Sequence, residues 1–82
     1  MVREFIYGWF AEKAGVSADE IGNEPDVNYF EQGLIDSFAF LELIGTCEEK
    51  FGMSFSDDDF RDEAIFTISG LIAIIEKSMA GR

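Results

Sequence analysis

Eighty-two residues, 48% of them hydrophobic and nine of them Phe, are enough to bury one core and too few for a second domain. Seventeen acids against six bases give a formal charge of −11, a surface that repels nucleic acid and anionic membranes and steers towards basic protein partners. There is no histidine and a single cysteine, Cys47, so the usual general base, an intramolecular disulfide and a Cys-rich zinc site are all excluded.

Val2, Phe5, Ile6, Trp9 and Phe10 fall at i, i+3, i+4, i+7 and i+8, one apolar stripe of a helix predicted from Val2 to Ala14. Gly15 is its natural stop. Arg3, Glu4, Glu12 and Lys13 interrupt the apolar run, so the segment is neither signal peptide nor membrane span, and a cytoplasmic location is expected. Residues Gly15 to Asp36 form a long acidic connection with Gly22, Pro25 and Gly33. Val16, Ile21, Val27, Tyr29, Phe30, Leu34 and Ile35 are expected to pin it across the helices, and Ser17 with Glu20 to cap a short turn.

The second helix is predicted over Ser37 to Phe51, started by Asp36 as N-cap and ended by Gly52. Phe40, Leu43, Ile44, Cys47 and Phe51 share its core face. Phe38, Leu41 and Gly45 lie opposite, interleaved with Glu42, Glu48 and Glu49, which predicts an exposed docking surface; the alternative is a helix buried on both sides.

Ser56 is the expected N-cap of a short third helix reaching about Glu63, with Asp57, Asp58 and Asp59 placed well for its dipole. The run fails as a calcium loop. Counted from Asp57, the sixth and twelfth positions are Asp62 and Ile68 instead of Gly and Glu. Thr67 caps a fourth helix from Ile68 to about Met79, with Ile68, Leu71, Ile72 and Ile75 as its stripe and Ile74 and Met79 widening it. Gly45 and Gly70, inside helices, either permit close contact or leave room for a guest. The fold class is therefore all-α: one domain over 1–82, four helices, a long first loop and a short third helix.

Asp36 as N-cap puts Ser37 in the first turn with its hydroxyl exposed, where unpaired N–H groups and the positive helix end favour a covalently attached phosphate. Ser37 thus reads as a tethering point. A serine hydrolase fits poorly, with no histidine and no glycine-flanked nucleophile elbow.

Phe30-Glu31-Gln32-Gly33-Leu34-Ile35-Asp36-Ser37-Phe38, then Leu41-Glu42-Leu43-Ile44, then Glu48-Glu49-Lys50-Phe51-Gly52, resembles an acyl carrier protein over most of the chain. The resemblance implies a four-helix acyl-carrier bundle in which Ser37, beside Asp36, carries 4′-phosphopantetheine donated by coenzyme A. It implies a thiol arm holding an acyl, aminoacyl or polyketide group as a thioester, while partner enzymes supply the catalysis. Without histidine the chain itself is not expected to be an enzyme, and no metal site is expected beyond weak divalent-ion association with the Asp57–Asp59 cluster.

Implied partners are a phosphopantetheinyl transferase, an acyl- or aminoacyl-activating ligase, and synthases or acyltransferases with basic surfaces meeting Phe38, Leu41, Glu42, Gly45, Glu48 and Glu49. The chain departs from the usual motif, which continues Asp-Ser-Leu, by Phe38, Ala39 and Phe40 after the serine and by Gly45 in place of a large apolar residue. Phe40 on the inner face argues against a roomy acyl pocket. The Gly-Leu-Ile-Asp-Ser form fits carriers of specialised lipid, secondary-metabolite or D-alanyl pathways as well as fatty acid biosynthesis. A free-standing monomer is expected, from Met1 and an end soon after the fourth helix. The contrasting reading is an acidic module that binds a basic partner through the second helix without modification.

Overall fold

In the computed structural model, residues 2–15, 17, 19 and 26–80 are described. The element order is α1 (Val2–Ala14), α2 (Ser37–Phe51), α3 (Asp57–Arg61), a 3-10 turn (Glu63–Phe66) and α4 (Ile68–Ala80). The architecture is all-α.

The stripes read from spacing are the core. Val2, Ile6 and Phe10 of α1, Leu43, Ile44, Cys47 and Phe51 of α2, and Ile68, Leu71, Ile72 and Ile75 of α4 are buried together, with Phe5, Trp9, Ile74 and Met79 packed against them. Each boundary has a local cause. At the end of α2, Gly52 adopts φ 61°, and its N–H and that of Met53 both donate to the Glu48 carbonyl. That left-handed position suits glycine. Ser56 and Asp59 exchange side-chain and backbone hydrogen bonds of 3.2 and 2.9 Å, a capping box that starts α3.

The third helix is shorter than expected. It stops at Arg61, because the Asp62 carboxylate accepts from Ala64 N and begins the separate 3-10 turn. Thr67 then caps α4, accepting from Gly70 N at 3.0 Å and donating to the Ala64 carbonyl at 2.9 Å. This tight corner explains Gly70: a Cβ there would overlap the Ala64 carbonyl oxygen. Gly45, in contrast, faces open space.

The loop before α2 is pinned chiefly by Tyr29, which is fully buried, and by Ile35. Tyr29 N–H donates to the Phe66 carbonyl at 2.9 Å, its hydroxyl donates to the Ile65 carbonyl at 2.6 Å, and Asn28 bridges Thr67. Phe30 and Leu34 are half-buried against the core. Val27, expected as an anchor, is exposed. Its neighbour Asp26 instead ties the loop to α4 through the Ser69 hydroxyl, so the backbone is held there without burying Val27. Val16, Ile21 and the Glu20 half of the Ser17–Glu20 cap lie outside the described residues. Among the described residues, no helix is long and apolar enough to cross a membrane.

Candidate functional site: the start of α2

Asp36 sits in extended backbone (φ −99°, ψ 178°) and uses its carboxylate and its carbonyl to start the helix. Its carboxylate accepts from Ala39 N at 2.8 Å and its carbonyl from Phe40 N at 3.0 Å. Ser37 is therefore the first helical residue, exposed, and its hydroxyl has no hydrogen-bond partner among the described residues. The N–H groups of Ser37 and Phe38 have no intrahelical acceptor, and the first turn of α2 holds no acid. A phosphodiester on exposed Ser37 Oγ would meet the positive end of a 15-residue helix, so the position fits a phosphate-linked arm.

Beneath the site the space is filled by rings. Phe40 is half-buried, its centroid 6.2 Å from Tyr29, 5.5 Å from Phe30 and 5.7 Å from Phe66, and Phe30 lies 5.8 Å from Phe66. The hydrogen bonds of Tyr29 to the 3-10 turn hold this wall in place. Two grooves, of about 500 and 730 Å³, are lined from the loops, α3, the 3-10 turn and α4, and neither includes a residue of α2.

The outer face of α2 is apolar and open. Phe38 is 81% exposed and Leu41 71% exposed, which overturns the alternative of a helix buried on both sides. Gly45 and Glu49 continue the exposed strip. Two of the predicted partner-face acids are engaged within the molecule. Glu42 is exposed but pairs with Lys13 Nζ of α1 at 2.9 Å. Glu48 is half-buried, and its Oε2 accepts from Phe55 N at 3.0 Å. It therefore turns away from the exposed strip of Phe38, Leu41 and Gly45 to secure the loop after α2, because its long side chain reaches the Phe55 N–H beyond Gly52.

Cys47 is fully buried, and its thiol is pushed up to about 12, first by burial and then by the Glu48 carboxylate. It stays protonated and acts as a small core residue. The Tyr29 phenol is raised as well, by burial and then by Cys47. Phe30, Phe66 and Lys13 were not singled out as site residues by sequence. Phe30 was legible only as a loop anchor, and neither Phe66, which meets it across the Asn28–Thr67 bridge, nor Lys13, 29 residues from its partner, carried a sequence signal.

The profile of the family described as "Phosphopantetheine attachment site" matches residues 4–75. A D-alanyl carrier protein of Bacillus velezensis is 41% identical over 46 residues, 55% of this chain and 59% of that protein. An acyl carrier protein of Nitratidesulfovibrio vulgaris is 35% identical over 75 residues, 92% of this chain and 93% of that protein. A D-alanyl carrier protein of Enterococcus faecalis is 34% identical over 58 residues, 71% and 74% of the two chains. No solved structure matches. The chain belongs to the phosphopantetheine attachment-site family, as an all-α carrier protein of the acyl carrier type that works through covalent 4′-phosphopantetheine.

Proposed function

We propose that Ser37 is the attachment residue and that the outer strip of α2 presents it to partner enzymes. The observation that carries this reading is the exposed Ser37 hydroxyl, without a hydrogen-bond partner among the described residues, at the capped start of α2. In the attachment step Ser37 Oγ takes the phosphopantetheinyl phosphorus of coenzyme A, adenosine 3′,5′-bisphosphate leaves, and the transferase accepts the serine proton. When bound, the arm's thiol holds the carried group as a thioester. Asp36 shapes the approach by fixing the first turn, while Phe38 and Leu41 offer partners an apolar contact. With no histidine in the chain, acid–base catalysis falls to those partners, and the protein itself is not an enzyme.

The partners that fit are a phosphopantetheinyl transferase, a ligase that activates the carried acid, and a synthase or acyltransferase, each with a basic surface. The setting proposed is the cytoplasm, where coenzyme A is supplied. The aromatic wall supports a small cargo, an aminoacyl or short acyl unit that stays outside the bundle, in a specialised pathway. The D-alanyl carrier relatives agree with that size class.

Two experiments test these readings. Incubation with coenzyme A and a promiscuous transferase adds the mass of one arm to the wild type and none to Ser37→Ala; equal addition to both contradicts the assignment. Loading arms that bear acetyl, octanoyl and hexadecanoyl chains leaves the melting temperature unchanged across the series. A melting temperature that climbs with chain length contradicts an exterior cargo.

A further inference from the structure

Lys13 stands in the last turn of α1, where a cation is favoured by the helix end. Its ammonium lies 2.9 Å from Glu42 Oε1 and 5.8 Å from the centre of the Trp9 ring, so it is held from two sides. Both partners of the ion pair remain accessible, with the side chains 38% and 52% exposed. Glu42 follows Phe38 by four residues and precedes Gly45 by three and Glu49 by seven, placing all four along one strip of α2. Of the two exposed acids on that strip, Glu49 has no ion-pair partner among the described residues, whereas Glu42 already has one.

We infer that Lys13 is a specificity-determining residue of the docking strip: an internal cation that holds Glu42 and that a basic partner must displace. This inference rests on the docking role proposed for α2. An incoming Arg or Lys engages Glu49 directly but reaches Glu42 only when Lys13 turns aside, and until then Lys13 also repels it. Lys13 therefore weakens the docking of any basic partner whose cations reach the strip, and most of all one whose main cation is aimed at Glu42.

The test measures the dissociation constant of the transferase for full-length carriers in a Ser37→Ala background, so that modification does not intervene. Lys13→Gln, Lys13→Arg and Lys77→Gln are compared at several ionic strengths, with thermal melts to verify folding. Lys77 lies on α4 and its loss changes net charge equally. The expected result is about two- to fivefold tighter binding for Lys13→Gln at low salt, the range of an exposed ion pair. Lys13→Arg and Lys77→Gln stay near the parent, and adding Glu42→Gln to Lys13→Gln cancels the gain. Unchanged or weaker binding for Lys13→Gln, or an equal gain for Lys77→Gln, overturns the inference. Arm attachment to the Ser37-bearing wild type, scored separately, decides the attachment reading, so the two fail distinguishably.

Discussion

The Tyr29 hydroxyl donates to the Ile65 carbonyl at 2.6 Å, with both residues fully buried and 36 positions apart in the chain. This bond ties the loop that delivers Ser37 to the turn that starts α4, and it steadies the ring wall under the site. Tyr29→Phe keeps the ring but leaves the carbonyl without its donor. The expected cost is about 1–3 kcal/mol, and at this size each kcal/mol lowers the melting temperature by about 4–8 °C. The arm attachment proposed for exposed Ser37 should be unaffected. Thermal denaturation checks this, and an unchanged melting temperature contradicts it.

The two helical glycines should respond in opposite directions. Gly45→Ala adds a methyl in open space and removes a flexible residue from a helix interior, stabilising by about 0.5–1 kcal/mol. Gly70→Ala drives a methyl into the Ala64 carbonyl and crowds Thr67 Oγ1, and should cost at least about 1–3 kcal/mol. Urea unfolding of the two variants against wild type measures both signs.

Cys47 makes alkaline pH destabilising. Its folded thiol titrates near 12 against an ordinary 9.0, so above pH 9 the unfolded chain sheds a proton that the folded chain keeps. Stability is full below pH 9 and falls through the window from 9 to 12, by about 1.4 kcal/mol per unit for one group. Tyr29, raised from 10.0, steepens the fall above pH 10. Urea midpoints at pH 7, 9 and 10.5 should decline only in the last interval. A thiol chromogen at pH 7 should count no thiol in the folded unmodified protein and one after arm attachment; an early reaction of unmodified protein would place Cys47 at the surface.

The acids and apolar residues of α2 separate into roles that substitution can resolve. Phe38→Ala and Leu41→Ala should leave stability within about 0.5 kcal/mol and slow arm transfer about fivefold or more if the strip docks the transferase. Glu48→Ala should do the reverse: it removes the acceptor of Phe55 N, costs about 1–3 kcal/mol, and changes transfer little. Parallel melts and transfer rates decide, and a kinetic effect of Glu48→Ala without a stability loss would return that residue to the docking strip.

What could be read in advance was whatever local chemistry dictates. Asp36, Gly52, Ser56 and Thr67 set boundaries through bonds within a few residues, and the apolar stripes of α1, α2 and α4 follow from helical spacing alone. The 3-10 turn was missed because four residues show no periodicity and its cap, Asp62, looks like one more acid in a run. Glu48 projects outward on a helical wheel, yet its side chain reaches Phe55 N, seven residues on. The contrast between Gly45 and Gly70, and the pairing of Lys13 with Glu42, depend on neighbours that only the folded chain supplies.

Peptide-level fragmentation after arm transfer is decisive, because Ser17, Ser54, Ser56, Ser69 and Ser78 are also present. The arm should map to the peptide carrying Asp36-Ser37, to Ser37 alone, and Ser37→Ala should remain unmodified at every serine. An arm found on any other serine, or retained by Ser37→Ala, would contradict the account.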